Sequence, residues 1–417
     1  MPVAVYLDYA ATSPMPPSVL AAYAEALRLV GNPASVHSAG QNSKRMLEES
    51  RERVAAALGA EPVNVIFTSG GTESVNLAVK GIYWARNSGA ARRPRLLLPG
   101  TEHHAAIDAA EWLVRAQGAR IDWIPVDGSG LVSPTELDSM LSGEPESVAL
   151  VSVMLANNET GVIAPLAELV EVAHRYGVPV HSDAVSALGS IPIDFGALGI
   201  DTLSVSGHKI GAPVGIGALL LSRGTVLEPL LHGGNQQRVR SGTQDAAGAV
   251  AFATATELAV ANLAAEARRL AALRDHLIEG VRHAVPSAVL RGPEPVLSAV
   301  SGRPEPEPEP SAVLHGPEPV PSRLPGTALF TFPGCEGDSL VFLLDASGFS
   351  VSTGAACQAG VPETSHVLRS MGVSEADARG ALRISIGRDT TLAEVDAFVA
   401  ALPAAFARAA RAGLASA

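Results

Sequence analysis

The sequence predicts an α/β protein built on a largely parallel sheet covered by helices. Between about residues 60 and 225, short apolar runs alternate with segments of helical spacing. The chain has 417 residues, enough to bury a large core and form one big domain with a smaller one beside it. Hydrophobic residues make up 47% of it and charged residues 17%, the balance of a globular chain and not a disordered one.

The elements follow in order. Asn64-Val-Ile-Phe-Thr68, Arg95-Leu-Leu-Leu98, Arg120-Ile-Asp-Trp-Ile124, Val148-Ala-Leu-Val-Ser-Val153 and Thr202-Leu-Ser-Val205 read as strands. Val178-Pro-Val180 is a shorter strand-like run, and Leu166–Tyr176 spaces its apolar residues as a helix does. Residues 245–284, rich in Ala, Leu, Glu and Arg, read as one long helix or two, leading from the large domain to a C-terminal one. In such sheets ligands gather at the strands' carboxyl ends. Asn158, Asp183 and Lys209 each follow a predicted strand, so one site could collect them.

One region breaks the pattern. Ala288-Val-Leu-Arg-Gly-Pro-Glu-Pro-Val296 recurs as Ala312-Val-Leu-His-Gly-Pro-Glu-Pro-Val320, with Pro304-Glu-Pro-Glu-Pro-Glu-Pro310 between. Proline at alternate positions forbids helix and sheet ladders, and the glutamates repel one another. Residues 288–311 read as a duplicated, extended and disordered surface insertion, the second copy being the one that runs on into Arg323-Leu-Pro-Gly326 and a strand. A Pro-rich partner-binding arm is the alternative.

A net charge of −12 argues against nonspecific nucleic-acid binding as the main task. No apolar run approaches the length of a membrane helix, and the first residues lack a basic region followed by a long apolar stretch. Neither membrane association nor a signal peptide is expected. Two cysteines, Cys335 and Cys357, make no disulfide framework, which suits a cytoplasmic chain with free thiols.

The chemistry concentrates in Asp201-Thr-Leu-Ser-Val-Ser-Gly-His-Lys209. A lysine at the end of an apolar strand, among small residues, is what a Schiff base to a carbonyl cofactor needs. Burial beside another cation would lower its pKa and free the amine. Ser206 and His208 are polar groups suited to an anion such as phosphate. The plain alternative is a strand ending in an exposed lysine. Asp183, in His181-Ser-Asp-Ala-Val-Ser186, agrees with the first reading: an aspartate at a strand end can pair with a pyridinium nitrogen. Its alternative is a helix cap. Lysine with such an aspartate is the pattern of pyridoxal 5'-phosphate. Gly70-Gly-Thr72 opens a helix after a strand, where free N–H groups and the helix dipole favour an anion.

Further motifs extend the pattern along the chain: Tyr6-Leu-Asp-Tyr-Ala-Ala-Thr12, Gly31-Asn-Pro-Ala-Ser35, Phe67-Thr-Ser-Gly-Gly-Thr-Glu-Ser74, Thr101-Glu-His-His104, Asn157-Asn-Glu159, Ser206-Gly-His-Lys209, His232-Gly-Gly234, Arg240-Ser-Gly-Thr243, Ser352-Thr-Gly-Ala-Ala-Cys357 and Leu382-Arg383. With these in this order, the chain resembles the NifS-like cysteine desulfurases of the class V aminotransferase family, in particular the housekeeping type that feeds iron–sulfur cluster assembly. The resemblance implies the type I pyridoxal-phosphate (aspartate aminotransferase-like) fold. A mainly parallel seven-stranded large domain would span 14–260, and a small α+β domain would combine 1–13 with 261–417.

The resemblance also implies roles. Lys209 would carry the cofactor and move the substrate's proton, with Asp183 on the ring nitrogen and His103 stacked on the ring. Thr72, Gly71, Ser206 and His208 would contact the phosphate, with Thr243 reaching it from the second subunit of a homodimer. Asn158 would contact the cofactor's phenolic oxygen or the substrate, and Arg383 the carboxylate of L-cysteine. Cys357, in a loop of small residues, would accept sulfur as a persulfide and pass it to an acceptor protein, a scaffold or carrier. Cys335 reads as an inert thiol, and His104 as a surface neighbour rather than half of a metal site.

Two positions depart from the family: Ser186 stands where glutamine is usual, and Ala355 replaces a serine of the cysteine loop. Serine is shorter, so its cofactor contact is lost or passes through water. Selenocysteine lyase, C–S lyase, aminotransferase and a non-enzymatic scaffold remain as alternatives. Cys357 speaks against the aminotransferase, and Lys209, Asp183 and His103 against the scaffold.

Overall fold

The computed structural model describes residues 4–234, 237, 239–295, 322–355 and 364–416. Its strands, in chain order, are β1 (Val5–Tyr6), β2 (Val65–Thr68), β3 (Arg95–Pro99), β4 (Arg120–Ile124), β5 (Val148–Ser152), β6 (Val180–Asp183), β7 (Thr202–Ser206), β8 (Gly217–Leu221), β9 (Val289–Arg291), β10 (Thr327–Thr331), β11 (Phe349–Ser350) and β12 (Ala381–Ser385).

Seven of them form the central sheet in the order β2-β8-β7-β6-β5-β3-β4. All are parallel except β8, which runs antiparallel to both its neighbours. This is the mainly parallel seven-stranded α/β architecture expected. β5, β6 and β7 are buried along their whole length, as strands covered on both faces must be. β8 is the strand not anticipated. Its apolar run Gly217-Ala-Leu-Leu-Leu221 carries no alternation that separates strand from buried helix. β6 also begins at Val180, later than expected, because Val178 and Pro179 lead into the sheet from a turn at Gly177.

Four helices set the scene for the site: α1 (Pro17–Leu27), α2 (Ser38–Ala57), α3 (Gly71–Arg86) and α4 (His104–Gln117). The stretch 245–284 is two helices, Ala246–Ala261 and Leu263–Ala284, bent by 70° at Asn262. The first packs on α1 and α2; the second packs on the C-terminal helix Leu392–Ser416. Among the described residues no single helix is long and apolar enough to cross a membrane, although this bent pair passes by length and composition.

A second apolar cluster joins Leu7, Leu277, Val281, Phe330, Phe332 and Phe398. It covers the antiparallel sheet β12-β10-β9. The N-terminal segment enters this cluster because β1 pairs in parallel with β11, Val5 opposite Phe349.

Against the reading of 288–311 as a disordered insertion, the first copy of the repeat is part of the small sheet, β9 pairing with β10; residues 296–321, with the second copy, lie outside the described residues. The flanks of that stretch meet at the buried Arg323, which donates to Arg291 O, to Pro293 O at 2.8 Å and to Thr160 O at 2.8 Å. Deleting 288–311 would join Ser287 to Ala312-Val-Leu-His-Gly, a match for the β9 segment except His315 for Arg291. We expect this deletion to keep cysteine turnover within about twofold and the melting temperature within a few degrees. Loss of soluble protein or of turnover in that variant would refute the insertion reading.

Candidate active site

β7 ends at Ser206, and the chain turns through one tight 3₁₀ turn, Gly207–Ile210, stopped by Gly211 at φ 82°. That turn delivers Lys209 to the carboxyl end of the sheet. Its Nζ donates to Ala10 O at 2.5 Å and Ala11 O at 3.1 Å. Ser13 binds the turn from the same side: its Oγ donates to Lys209 O at 2.7 Å and its N–H to His208 O at 3.0 Å. The motif Tyr6–Thr12 and its neighbour Ser13 thus form one wall around the lysine.

Asp183 closes β6, one strand away. It is buried, and its Oδ1 accepts the Val185 N–H at 2.8 Å. Burial raises its pKa, and His103 and Lys209 pull it back down. His103 caps α4, its Nδ1 accepting the Ala105 N–H at 3.0 Å, which leaves Nε2 as the protonated nitrogen of the neutral ring. Burial lowers the His103 pKa; Asp183 raises it and Lys209 lowers it. The three expected residues therefore share one electrostatic field. His208 is half-buried, and burial with the Lys209 charge brings it down to about 4, so it is neutral near pH 7.

The start of α3 lies against β7. Gly70, at φ 144°, caps α3 where a Cβ would stand 3.7 Å from Ser206 Oγ. A Cβ on Gly71 would come within 2.7 Å of Val185 Cγ2 and 3.6 Å of Ser206 Cβ. Only glycine keeps this helix start close to Ser206 and Asp183's loop. Free N–H groups, Thr72 and Ser206 thus line a narrow cradle suited to a phosphate. Thr72 is exposed at its rim, and Thr243 is exposed on the stretch leading into helix Ala246–Ala261.

Arg383, on β12, is buried. It donates to Asn158 O at 2.9 Å and to Asp8 Oδ1 at 2.9 Å, while its Nε has no hydrogen-bond partner among the described residues. Asn158, Ser186 and Lys209 line a cavity of about 370 Å³ that runs on toward the bend at Asn262. Cys357 and the rest of 356–363 lie outside the described residues. Cys335 is buried, and burial raises its pKa. His104 is partly exposed and pairs with Asp108 at 3.3 Å, and its ring packs edge-on against His366, centroids 4.5 Å apart, with His366 in turn tied to Glu102 O at 2.8 Å. Among the described residues no group of three His, Cys, Asp or Glu side chains could hold a metal ion.

Sequence reasoning passed over Asp8, Val185 and Glu102, although Asp8 and Glu102 stand inside motifs quoted for other residues. Glu102 is fully buried and accepts the Met154 N–H at 2.5 Å and Ser152 Oγ–H at 3.3 Å. Burial, with the Asp183 charge adding, pushes its pKa up to about 8, while burial alone takes His181 down to about 3. A raised acid binds its proton in the folded state, so its stabilising share is whole below about pH 4.5 and is lost as pH climbs to about 8. For His181 the sign is opposite: stability is lost as pH falls from about 6.5 toward 3. Glu102→Gln should therefore melt higher relative to wild type at pH 8.5 than at pH 5.5, by roughly 5 °C in thermal scans. A difference that does not change with pH would refute the assignment.

A model of the aminotransferase class-V family matches residues 5–296 and 312–398. The chain belongs to the class-V aminotransferase family. Over 413 residues it is 49% identical to an IscS-like cysteine desulfurase of Mycobacterium tuberculosis (strain ATCC 25618 / H37Rv), covering 99% of this chain and 98% of that one. It is 38% identical over 389 residues to the cysteine desulfurase IscS of Dictyoglomus turgidum (strain DSM 6724 / Z-1310), covering 93% and 90%. A solved NifS-like protein superposes with a TM-score of 0.83 at 32% identity, over 97% of this chain and all (100%) of that one.

Proposed function

We propose that the protein is a pyridoxal-phosphate-dependent cysteine desulfurase, moving sulfur from L-cysteine onto Cys357 with release of L-alanine. The observation that carries this reading is the convergence of Lys209, Asp183 and His103 beside a glycine-lined helix start. The full-length likeness to proteins of that name supports it. The cradle fits the cofactor. Thr72, Ser206 and His208 would hold its phosphate, Asp183 its ring nitrogen and Lys209 its carbonyl carbon. Thr243 would come from the second subunit of a homodimer. The large unit would span 14–260, ending near the bend at Asn262, and the small unit 1–13 with 261–417.

When bound, the cofactor supplies an electron sink for charge that develops at the substrate's α-carbon. The chain does the rest. Lys209 Nζ, freed from the Ala10 and Ala11 carbonyls, takes up and returns the α-proton. His103, neutral near pH 7 and protonated at Nε2, passes protons beside it. Arg383 orients the substrate carboxylate. The Cys357 thiolate attacks the substrate sulfur; the S–S bond forms as the C–S bond breaks, and the electron pair stays on carbon, which gains a proton and leaves as L-alanine. The persulfide passes to an acceptor protein of iron–sulfur cluster assembly or thiolation. A chain with free Cys335 suits the reducing cytoplasm.

Arg383→Lys should raise KM for L-cysteine about tenfold or more, since lysine cannot reproduce a planar pair of bonds, with a smaller change in kcat. An unchanged KM would move carboxylate binding elsewhere. The reading as a whole is tested with L-cysteine and a reductant. Equimolar sulfide and alanine, lost in Cys357→Ala, support it. Turnover that survives in that variant, or pyruvate in place of alanine, points to a C–S lyase. A preference for selenocysteine points to a selenocysteine lyase.

A further inference from the structure

Glu159 has no part in the chemistry above, yet it is buried beside the site. Its backbone is held by Asn157, whose Oδ1 accepts the Glu159 N–H at 3.0 Å and the Thr160 N–H at 2.8 Å. Asn157 is anchored in turn, its Nδ2 donating to Thr101 O at 2.9 Å. A rigid turn therefore aims the Glu159 side chain in one direction.

That direction is toward Ser365 and Gly354, which flank residues 356–363. Ser365 Oγ donates to Glu159 Oε2 at 2.5 Å, inside the buried interior. On the other side lies Gly354, at φ 86°, where a Cβ would stand 3.4 Å from the same Oε2 and 3.5 Å from Glu159 Cγ. Gly354 N–H donates to Ser352 Oγ at 3.1 Å, and Ser352 shares backbone hydrogen bonds with Arg383 in both directions. Asn158, next to Glu159, offers its carbonyl to Arg383. Glu159 thus bonds one flank of the stretch that carries Cys357 through Ser365, lies near the other at Gly354, and adjoins Asn158, whose carbonyl holds the arginine of the site.

We infer that Glu159 is a positioning residue: its carboxylate, clamped by Ser365 and seated against Gly354, fixes the separation of the two flanks from which the sulfur-accepting thiol is presented. The inference rests on the reading of Cys357 as that thiol. A hydrogen bond between a hydroxyl and a carboxyl group held out of water is stronger than the same bond at the surface. A misplacement of about 1 Å at a reacting group can cost about a hundredfold in rate. An apolar seat would not serve, because the Ser365 hydroxyl also caps the following turn by accepting the Leu368 N–H at 3.1 Å and needs an acceptor for its own proton.

The test uses the cofactor-loaded enzyme and iodoacetamide, with labelling of Cys357 and Cys335 followed separately by mass spectrometry. In Glu159→Gln, Cys357 should label about tenfold faster while the buried Cys335 is unchanged. kcat for L-cysteine should fall about ten- to a hundredfold, with little change in KM. Ser365→Ala should reproduce the labelling change, and Ser365→Thr, which keeps the hydroxyl, should not. Equal Cys357 labelling in wild type, Glu159→Gln and Ser365→Ala would overturn the inference. So would parallel acceleration at Cys335, which would mark a general loosening of the fold. Should Glu159→Gln not fold, the two Ser365 variants decide the matter. If wild-type Cys357 carries no persulfide after turnover, the functional reading fails, and the labelling ratios still judge the clamp.

Discussion

Replacing Lys209 with alanine is expected to lower sulfide release from L-cysteine by about a thousandfold or more. The lysine serves twice in the proposed reaction, as the group that holds the cofactor's carbonyl carbon and as the base that moves the α-proton. Alanine removes both roles and also the bonds from Nζ to Ala10 O and Ala11 O. Those bonds are with backbone carbonyls of an N-terminal segment that Ser13 pins independently, so the fold should survive. Two measurements separate the roles. Borohydride should fix cofactor mass to the wild-type chain and not to the variant, and single-turnover kinetics should show the loss in the proton-transfer step. Activity within tenfold of wild type would remove Lys209 from the chemistry.

Asp183→Asn should cost about a hundred- to a thousandfold in kcat, or about 2.7–4 kcal/mol of transition-state stabilisation. The substitution keeps size and can keep the Val185 N–H bond, so packing at the end of β6 changes little. What it removes is a buried negative charge facing His103 and Lys209. A second readout follows from that field. Asp183 raises the His103 pKa, so without its charge His103 should titrate at still lower pH. Histidine proton resonances followed against pH will show it. A His103 titration that does not move would mean that the two side chains are electrostatically independent and would refute this coupling.

Much of this was legible before any coordinates. β2, β3, β4, β5 and β7 announce themselves as short apolar runs, and Lys209, Asp183 and Asn158 follow the strands that place them. Local sequence suffices there because a buried parallel strand has to be apolar and its carboxyl end has to carry the function. β8 escaped notice because an apolar run of five residues has no periodicity of its own. Two helices in 245–284 were one of the two readings open, but the position of the break at Asn262 was not legible, because the composition on either side of it favours helix equally. Asp8, Glu102 and Glu159 were in view as letters but not as partners. Their meaning lies in Arg383, Met154 and Ser365, far along the chain, and no local pattern records such a meeting.

The N-terminal wall around Lys209 has a consequence for the birth of the molecule. Asp8 meets Arg383 across 375 positions of sequence, and β1 finds its only strand partner among the described residues in β11. Ala10 and Ala11, which receive the lysine, sit on that same segment. On the ribosome the sheet from β2 to β8 can form, and Lys209 can reach Ala10 and Ala11, while β1 and Asp8 still have nothing to pair with. Closing so long a loop is entropically slow and comes last. The nascent enzyme is therefore a folded sheet with an unfinished catalytic centre until β12 emerges, and its first residues wait for almost its last.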